Sequence, residues 1–230
     1  MEKEGYFRII SVAIGSGVAT KIEEYFTKIG ISPVISLIIS IGIAVVVYEL
    51  LIYSFIEIPH RFYFLRRLID PISRFEGRWI QTIDKRGERF YSYVDIYYNP
   101  QRKNYVISGI ALDSKGKIHS TWGSTKLNID LEASKILYFY TAEMCDGTGE
   151  TIDGYGEMNF HRDSKGRYTR GIGFFVDSGT QLVQCYYSLD RLTEEDINNL
   201  IGSTNVSSNE DLKRLIRKYH EKYGDNRTIS

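Results

Sequence analysis

The residues of this chain best suited to bind a ligand are aromatic, and they recur at even spacing within short apolar segments. Tyr93 and Tyr97 share one such segment, and Tyr138 and Tyr140 share another. Alternate residues of a β-strand point to the same side, so each pair occupies one face. Rings on one face can stack on a planar ligand, while nearby polar groups hydrogen-bond its edges or its phosphates. The predicted ligand-binding residues are Tyr93, Tyr97, Ser108, Trp122, Tyr138, Tyr140, Asn159, Arg170 and Tyr187.

Catalytic and metal-binding patterns are missing from the sequence. It contains no G-x-S-x-G, H-E-x-x-H, Walker or C-x-x-C motif, and its four histidines share no ligand spacing. The formal net charge is zero, which gives no reason to expect a DNA or RNA partner. We therefore predict a binding protein without catalytic residues, metal or cofactor. The alternative explanation for any single tyrosine is that this residue is common on half-exposed strand faces.

The rings belong to a series of short segments rich in Tyr, Val, Ile, Phe and Thr, the residue types that strands prefer. Turn residues separate the segments, such as Asn-Pro at 99–100 and Asp-Ser-Lys-Gly at 163–166. Because no long helical pattern interrupts them, consecutive strands should pair antiparallel and close an eight-stranded, lipocalin-like up-and-down β-barrel, or failing that form a sandwich. The predicted strands are 77–84, 89–98, 104–113, 118–127, 135–143, 154–162, 168–177 and 182–190.

The N-terminal part of the chain has a different, apolar composition. Ile29–Tyr48 is a run of 20 uncharged residues, enough for a helix to cross a bilayer core of about 30 Å. The earlier stretch Ile9–Thr20 is shorter and lies between Arg8 and Lys21. It fits a first transmembrane helix, an interfacial helix or, less well because of its acidic start, a signal peptide. We predict a transmembrane hairpin with helices at about 7–27 and 31–56, forming an anchor at 1–58.

Small residues at intervals of four give each predicted membrane helix a narrow face that would allow close packing. The packing residues are Gly15, Ser32, Ser36, Ser40 and Ala44. Basic residues are more frequent after the long span than in the loop between the spans, so with two spans the C-terminal part would face the cytoplasm. The predicted organisation continues with a basic juxtamembrane linker at 59–75, the barrel at 76–192, and C-terminal helices with a tail at 193–230, including helix 209–223.

In this layout of anchor, Arg-rich link, F-E-G-R-W at 75–79 and eight strands, the chain resembles the membrane-anchored cyclic-dinucleotide receptor effectors of bacterial CBASS antiphage systems. The G-x-W triplet at Gly77–Trp79 is also similar to the opening of lipocalin-type barrels. The resemblance implies a multi-pass protein of the bacterial inner membrane with a cytoplasmic barrel. A cyclic dinucleotide would bind the barrel, the protein would oligomerise, and membrane disruption would kill the infected cell.

The resemblance assigns no individual binding residues, because no short motif fixes them, and it leaves the C-terminal helices unexplained. Three other interpretations stay open at this point. They are a membrane-tethered lipocalin-like carrier or sensor for another small ligand, a membrane-bound enzyme with a dispersed site, and a scaffold that uses the barrel for protein contacts.

Overall fold

The C-terminal part of the chain folds into a sheet that closes on itself. In a computed structural model of the protein, each strand pairs antiparallel with the next one, and β8 pairs with β1. The predicted closed, eight-stranded antiparallel barrel is therefore confirmed. The strands are β1 Gly77–Lys85, β2 Glu88–Asn99, β3 Asn104–Leu112, β4 Ile118–Asp130, β5 Lys135–Met144, β6 Thr151–Arg162, β7 Tyr168–Asp177 and β8 Val183–Leu192.

Two strands, β4 and β6, are each three residues longer than the sequence pattern predicted. β4 continues beyond residue 127 because Leu127 and Ile129 keep pointing to the barrel interior, although polar residues alternate with them. β6 begins three residues early because Thr151 pairs with Glu143 of β5. Pairing with a neighbouring strand thus decides where these strands begin and end.

The structure describes residues 2–54, 58, 62–85, 88–113, 116–145, 147–178, 183–204, 206 and 208–223. The chain divides into two compact units, residues 1–71 and residues 72–230. Residues 59–61 of the predicted linker and the predicted tail after Tyr223 lie outside the described residues.

The first unit is built on a helical hairpin of α1 Glu2–Lys28 and α2 Pro33–Ile52. Gly30 ends α1 with φ at 86°, a left-handed conformation that glycine adopts without a steric penalty. Among the described residues, α2 is the one helix that is long and apolar enough to cross a membrane. A second span is not shown, because the uncharged stretch of α1 ends at Lys21.

Small residues make the contact between α1 and α2. Ser36 and Ser40 are buried in this contact, and the Ser36 hydroxyl donates a hydrogen bond to the backbone carbonyl of Glu23 at 3.1 Å. A Cβ atom on Gly15 would lie 3.3 Å from the carbonyl oxygen of Ala44, so the two backbones approach closely. These predicted packing residues therefore meet each other within one hairpin.

The rest of α2 points away from α1. Only 11% of its most apolar stretch is buried in the structure. Ser32, also predicted as a packing residue, is exposed at the beginning of the helix. The exposed apolar side chains of α2 include Val34, Ile35, Leu37, Ile38, Ile41, Val45, Val46 and Leu50.

A short helix, α3 Tyr63–Ile69, occupies part of the predicted linker. It ends before Pro71, since a residue that precedes proline disfavours the helical conformation. The guanidinium groups of Arg66 and Arg67 lie 5.9 and 5.8 Å from the centre of the Tyr63 ring.

Two C-terminal helices, α4 Glu194–Ile201 and α5 Asn209–Tyr223, follow the barrel. α4 begins with a capping box, because Thr193 and Asp196 each accept a hydrogen bond from the backbone of the other. The Tyr219 hydroxyl of α5 donates to Asp190 of β8 at 2.7 Å. Both helices pack their apolar faces on the outer wall of the barrel, through a cluster of Ile80, Tyr91, Leu112, Ile197, Ile201, Leu212, Leu215, Ile216 and Tyr219.

Candidate functional site

One half of the barrel interior is filled with side chains. Trp79 at the beginning of β1 is fully buried, and its ring meets the Phe160 ring edge-on at 5.1 Å. The Phe75 ring stacks on the Tyr168 ring with centres 4.4 Å apart. These four rings close this end of the barrel, which we call the floor.

Arg191 of β8 holds the floor to the chain that leads into the barrel. Its guanidinium lies 5.4 Å from the Trp79 ring centre, within cation–π distance. It also donates hydrogen bonds to the backbone carbonyls of Arg74, Glu76 and Tyr168. Donation to several carbonyls fixes the position of the guanidinium and ties β8 to the segment before β1.

The other half of the interior is a cavity of about 580 Å³. Ile83 and Leu112 in its lining come from the ends of β1 and β3, so the cavity occupies the barrel end opposite to the floor. The volume lies in the range of small-molecule sites, about 300–1,000 Å³. The lining consists of Gln81, Ile83, Phe90, Ser92, Ala111, Leu112, His119, Ser120, Trp122, Tyr138, Tyr140, Ala142, Met144, Ile152, Phe175 and Asp177.

Aromatic rings form the inner wall of the cavity. The Trp122 ring stacks on the Tyr138 ring at 5.9 Å and meets the Tyr140 ring edge-on at 5.8 Å. Tyr140 in turn meets Phe175 edge-on at 6.3 Å. With Phe90 on the other side, the cavity offers several ring faces to a flat ligand.

Inward-facing glycines make room for these rings. A Cβ atom on Gly154 would lie 2.5 Å from the Tyr140 ring, and one on Gly109 would overlap the Trp122 indole. By contrast, at Gly123, which follows Trp122 on β4, the atom nearest to an added Cβ would be 4.0 Å away. The Trp122 and Tyr140 rings therefore lie close to strand backbone that carries no side chain at Gly109 and Gly154.

Buried tyrosine hydroxyls form a hydrogen-bond chain below the cavity. The hydroxyls of Tyr138 and Tyr187 are 3.2 Å apart, and Tyr187 also donates to the backbone carbonyl of Glu157 at 2.9 Å. Burial raises the pKa of Tyr138 and that of Tyr187 well above the usual tyrosine value. The Tyr140 hydroxyl donates to the Asp177 carboxylate at 2.5 Å, and its pKa is raised by burial and then by this carboxylate.

These shifts predict that the barrel loses stability in alkaline solution. The unfolded chain releases a tyrosine proton near pH 10, whereas folded Tyr138 and Tyr187 keep theirs. Stability is thus complete below pH 10 and falls above it, by up to about 1.4 kcal/mol per pH unit for each group. Urea unfolding at pH 8 and pH 11 measures the loss. Tyr138→Phe should make the fall shallower, and equal wild-type stability at both pH values would contradict the prediction.

Two polar side chains lie side by side in the wall of the cavity. Gln81 of β1 and Ser92 of β2 are paired in the antiparallel ladder, and their exposed fractions are 2% and 0%. The Ser92 hydroxyl accepts a hydrogen bond from the Trp122 indole nitrogen at 3.2 Å. No described residue forms a hydrogen bond with the Gln81 carboxamide. We call Gln81 and Ser92 the polar pair.

The structure brings together part of the predicted set of binding residues. Trp122, Tyr138 and Tyr140 line the cavity, and Tyr187 lies directly beneath Tyr138. The other five residues lie on the outer face of the barrel and do not line the cavity. They are Tyr93, Tyr97, Ser108, Asn159 and Arg170.

The reason is the alternation of strand side chains. In β2 the inward residues are Ser92, Val94 and Ile96, so Tyr93 and Tyr97 point outward. Tyr93 is half-buried against the cluster under the C-terminal helices, where burial raises its pKa to about 12.

The remaining outward residues have partners on the outer wall. Asn159 donates to the Glu157 carboxylate at 2.8 Å, and Arg170 lies 3.7 Å from the Asp190 carboxylate. Ser108 pairs with Asp95 in the ladder between β2 and β3. The contacts of Asn159 and Arg170 occupy polar groups that the sequence pattern had placed around a ligand.

Sequence reasoning missed the polar pair, Asp177, Phe90 and Phe175, because the sequence does not fix which face of each strand points inward. A usable signal was present in β1, where the polar residue Gln81 interrupts the inward apolar series of Trp79 and Ile83. Among the described residues, no group of three or more His, Cys, Asp or Glu side chains could hold a metal ion. Comparison with family models, curated proteins and solved structures gave no match to this chain.

Proposed function

We propose that this protein is a membrane-tethered receptor that binds a small, flat ligand inside its barrel and does not catalyse a reaction. The observation that carries the proposal is the ring-lined cavity of about 580 Å³ above a filled floor. A scaffold that uses only its outer wall would need no such space. A carrier of aliphatic lipid would be expected to have an interior lined mainly by aliphatic side chains, whereas Phe90, Trp122, Tyr138, Tyr140 and Phe175 line this one.

The hairpin supports the membrane part of the proposal, because its polar and apolar side chains are distributed in the opposite way to those of a water-soluble helix pair. Ser36 and Ser40 are buried between the helices, while the apolar side chains of α2 point outward. In water this arrangement would expose apolar surface without compensation. In lipid it is favourable, because small residues allow close helix packing and apolar side chains meet acyl chains.

The proposed location is the inner membrane of a bacterial cell, with α1 as a second span and the barrel in the cytoplasm. Arg66, Arg67 and Arg74 follow α2, whereas Lys21 and Lys28 lie near the connection between the helices. An excess of basic residues near a membrane segment marks its cytoplasmic side.

A lipocalin-like barrel is the finer form of the fold that we propose. Support comes from the G-x-W triplet at Gly77–Trp79 and from the position of Trp79 in the floor, beneath the Arg191 guanidinium. A barrel of eight strands is wide enough for one small ligand.

A second candidate function is the antiphage effector that the layout of the chain resembles. It is favoured by the combination of an apolar helix with a barrel cavity whose rings could stack on two bases. Ligand binding would shift the protein towards an assembled form that disrupts the membrane.

Two observations speak against the effector function. The two phosphates of a cyclic dinucleotide would need cations from outside the described lining, which holds no Lys or Arg. The small-residue faces are also already paired within the hairpin.

The receptor proposal is tested with N-phenylnaphthylamine, an uncharged aromatic probe that fluoresces in apolar sites. The full-length protein in lipid nanodiscs should bind one probe molecule per chain above the lipid background. Ala111 of β3 lies opposite Ser92 in the ladder and lines the cavity, so Ala111→Phe should fill the site. We expect that variant to lower the probe affinity at least about tenfold.

Ala133→Phe is the matched control, because Ala133 is exposed in the turn between β4 and β5. It makes the same chemical change outside the cavity and should leave probe binding unchanged at an equal amount of lipid. Equal probe binding by wild type and Ala111→Phe would show that the cavity receives no ligand and would overturn the proposal.

A further inference from the structure

The polar pair is an unusual feature for the inside of a barrel. Gln81 lines the cavity and has an exposed fraction of only 2%. Its carboxamide has no hydrogen-bond partner among the described residues. Leaving a buried polar group without a partner costs about 1–3 kcal/mol. A hydrophobic residue at this position would avoid that cost, as Ile83 does two residues later on the same face. The carboxamide is therefore available to hydrogen-bond a molecule in the cavity.

The hydrogen-bonding capacity of the polar pair is well defined. A carboxamide presents a donor and an acceptor next to each other. The Ser92 oxygen already accepts from the Trp122 indole, so its hydroxyl proton is directed to another acceptor. Residues opposite each other in an antiparallel ladder have Cβ atoms about 4.5–5.5 Å apart. Together the two side chains match a short polar edge of a ligand that carries two hydrogen-bond acceptors and one donor.

The charges of the lining restrict the ligand further. Asp177 is a carboxylate at the wall, and the described lining contains no Lys or Arg side chain. The imidazole of His119 is exposed and belongs to the rim. An anion taken into this cavity would lose its hydration without meeting a cation, which is costly.

We infer that the cavity recognises an uncharged, flat heteroaromatic ligand with an amide-like edge, bound by the polar pair of Gln81 and Ser92. The inference rests on the proposed function and names the class of ligand for the same site. The rings of Phe90, Trp122 and Phe175 contact the faces of the ligand, and its donor and acceptor atoms meet the polar pair. A phosphate on the same ligand weakens binding.

The test uses riboflavin and riboflavin phosphate, which share a flat ring system with an amide-like edge and differ by one phosphate group. Each competes with N-phenylnaphthylamine for the full-length protein in nanodiscs. We expect riboflavin to displace the probe with an affinity at least about tenfold higher than that of its phosphate. Gln81→Leu should weaken riboflavin about tenfold, because it removes the hydrogen bonds of the carboxamide.

A second readout separates a binding role for Gln81 from a structural one. Since the carboxamide has no partner in the described structure, Gln81→Leu should keep or raise the melting temperature of the ligand-free protein. Gln184→Leu makes the same change at an exposed position of β8 and should alter neither property. A lower melting temperature for Gln81→Leu with unchanged riboflavin affinity would assign Gln81 a structural role and overturn the inference.

The outcomes distinguish this inference from the proposed function. If the naphthylamine probe does not bind, the proposed function fails and the inference fails with it. If the probe binds but neither flavin displaces it, or the phosphate displaces it as well as riboflavin does, only the inference fails. Displacement by cyclic di-GMP would likewise overturn the inference and favour the effector function.

Discussion

The Trp79→Ala variant is expected to lose about 3–5 kcal/mol of its free energy of unfolding. The side chain has no exposed surface, packs edge-on against Phe160, and donates from its indole nitrogen to the carbonyl of Phe75 at 3.3 Å. Its removal opens a cavity in the filled half of the barrel and leaves Arg191 without the ring beneath it. Thermal unfolding of the full-length protein should show a fall of roughly 10 °C in Tm.

Trp122→Ala is the matched control, since the chain contains two tryptophans and Trp122 already borders open space. Its removal enlarges an existing cavity, so the loss of stability should be much smaller than for Trp79→Ala. The naphthylamine probe should bind Trp122→Ala more weakly because one ring of the wall is missing. Equal losses of stability in the two variants would contradict the division of the interior into a floor and a binding cavity.

The second large effect is expected in the membrane segment. Arginine at the centre of a membrane helix costs about 2.5–3.5 kcal/mol per residue, so Ile38→Arg with Ile41→Arg should cost about 5–7 kcal/mol of insertion free energy. Both isoleucines are exposed on α2, at 65% and 54%. We expect wild type to stay in the membrane pellet after alkaline carbonate extraction of bacterial cells, and the double variant to be lost from the pellet.

Phe64→Arg with Leu68→Arg provides the control for this experiment. Both residues are exposed apolar side chains of α3, outside the candidate span. This pair should leave the amount of protein in the pellet unchanged. Recovery of the α2 variant in the same amount as wild type would show that α2 does not cross the membrane, and the tether would have to be abandoned.

The packing of α1 on α2 affects how an effector of this kind could assemble in the membrane. Ser36 and Ser40 are occupied by α1 in the single chain. Assembly through these faces would require the hairpin to open, at the cost of the Ser36 hydrogen bond to Glu23. The exposed apolar side chains of α2, such as Ile38 and Val45, are available for contacts in lipid without such a rearrangement.

The sequence by itself determined the elements of this protein. Twenty uncharged residues from Ile29 to Tyr48 identify the apolar helix, and the alternation of ring and polar residues between turns identifies the strands. Thr193 and Gly202 mark the ends of α4, because capping depends on residues within one turn of the helix. Such features can be predicted because their causes are local in the chain.

Only the tertiary structure decided which strand faces enclose the cavity and where the filled interior ends. Tyr93 and Tyr138 have the same local pattern, yet one lies under the C-terminal helices and the other lines the cavity. A shift of one residue in strand register exchanges inside and outside, and register is set by contacts between residues far apart in sequence. The pairing of Gln81 with Ser92 is of the same kind, since it exists only once β1 and β2 are aligned.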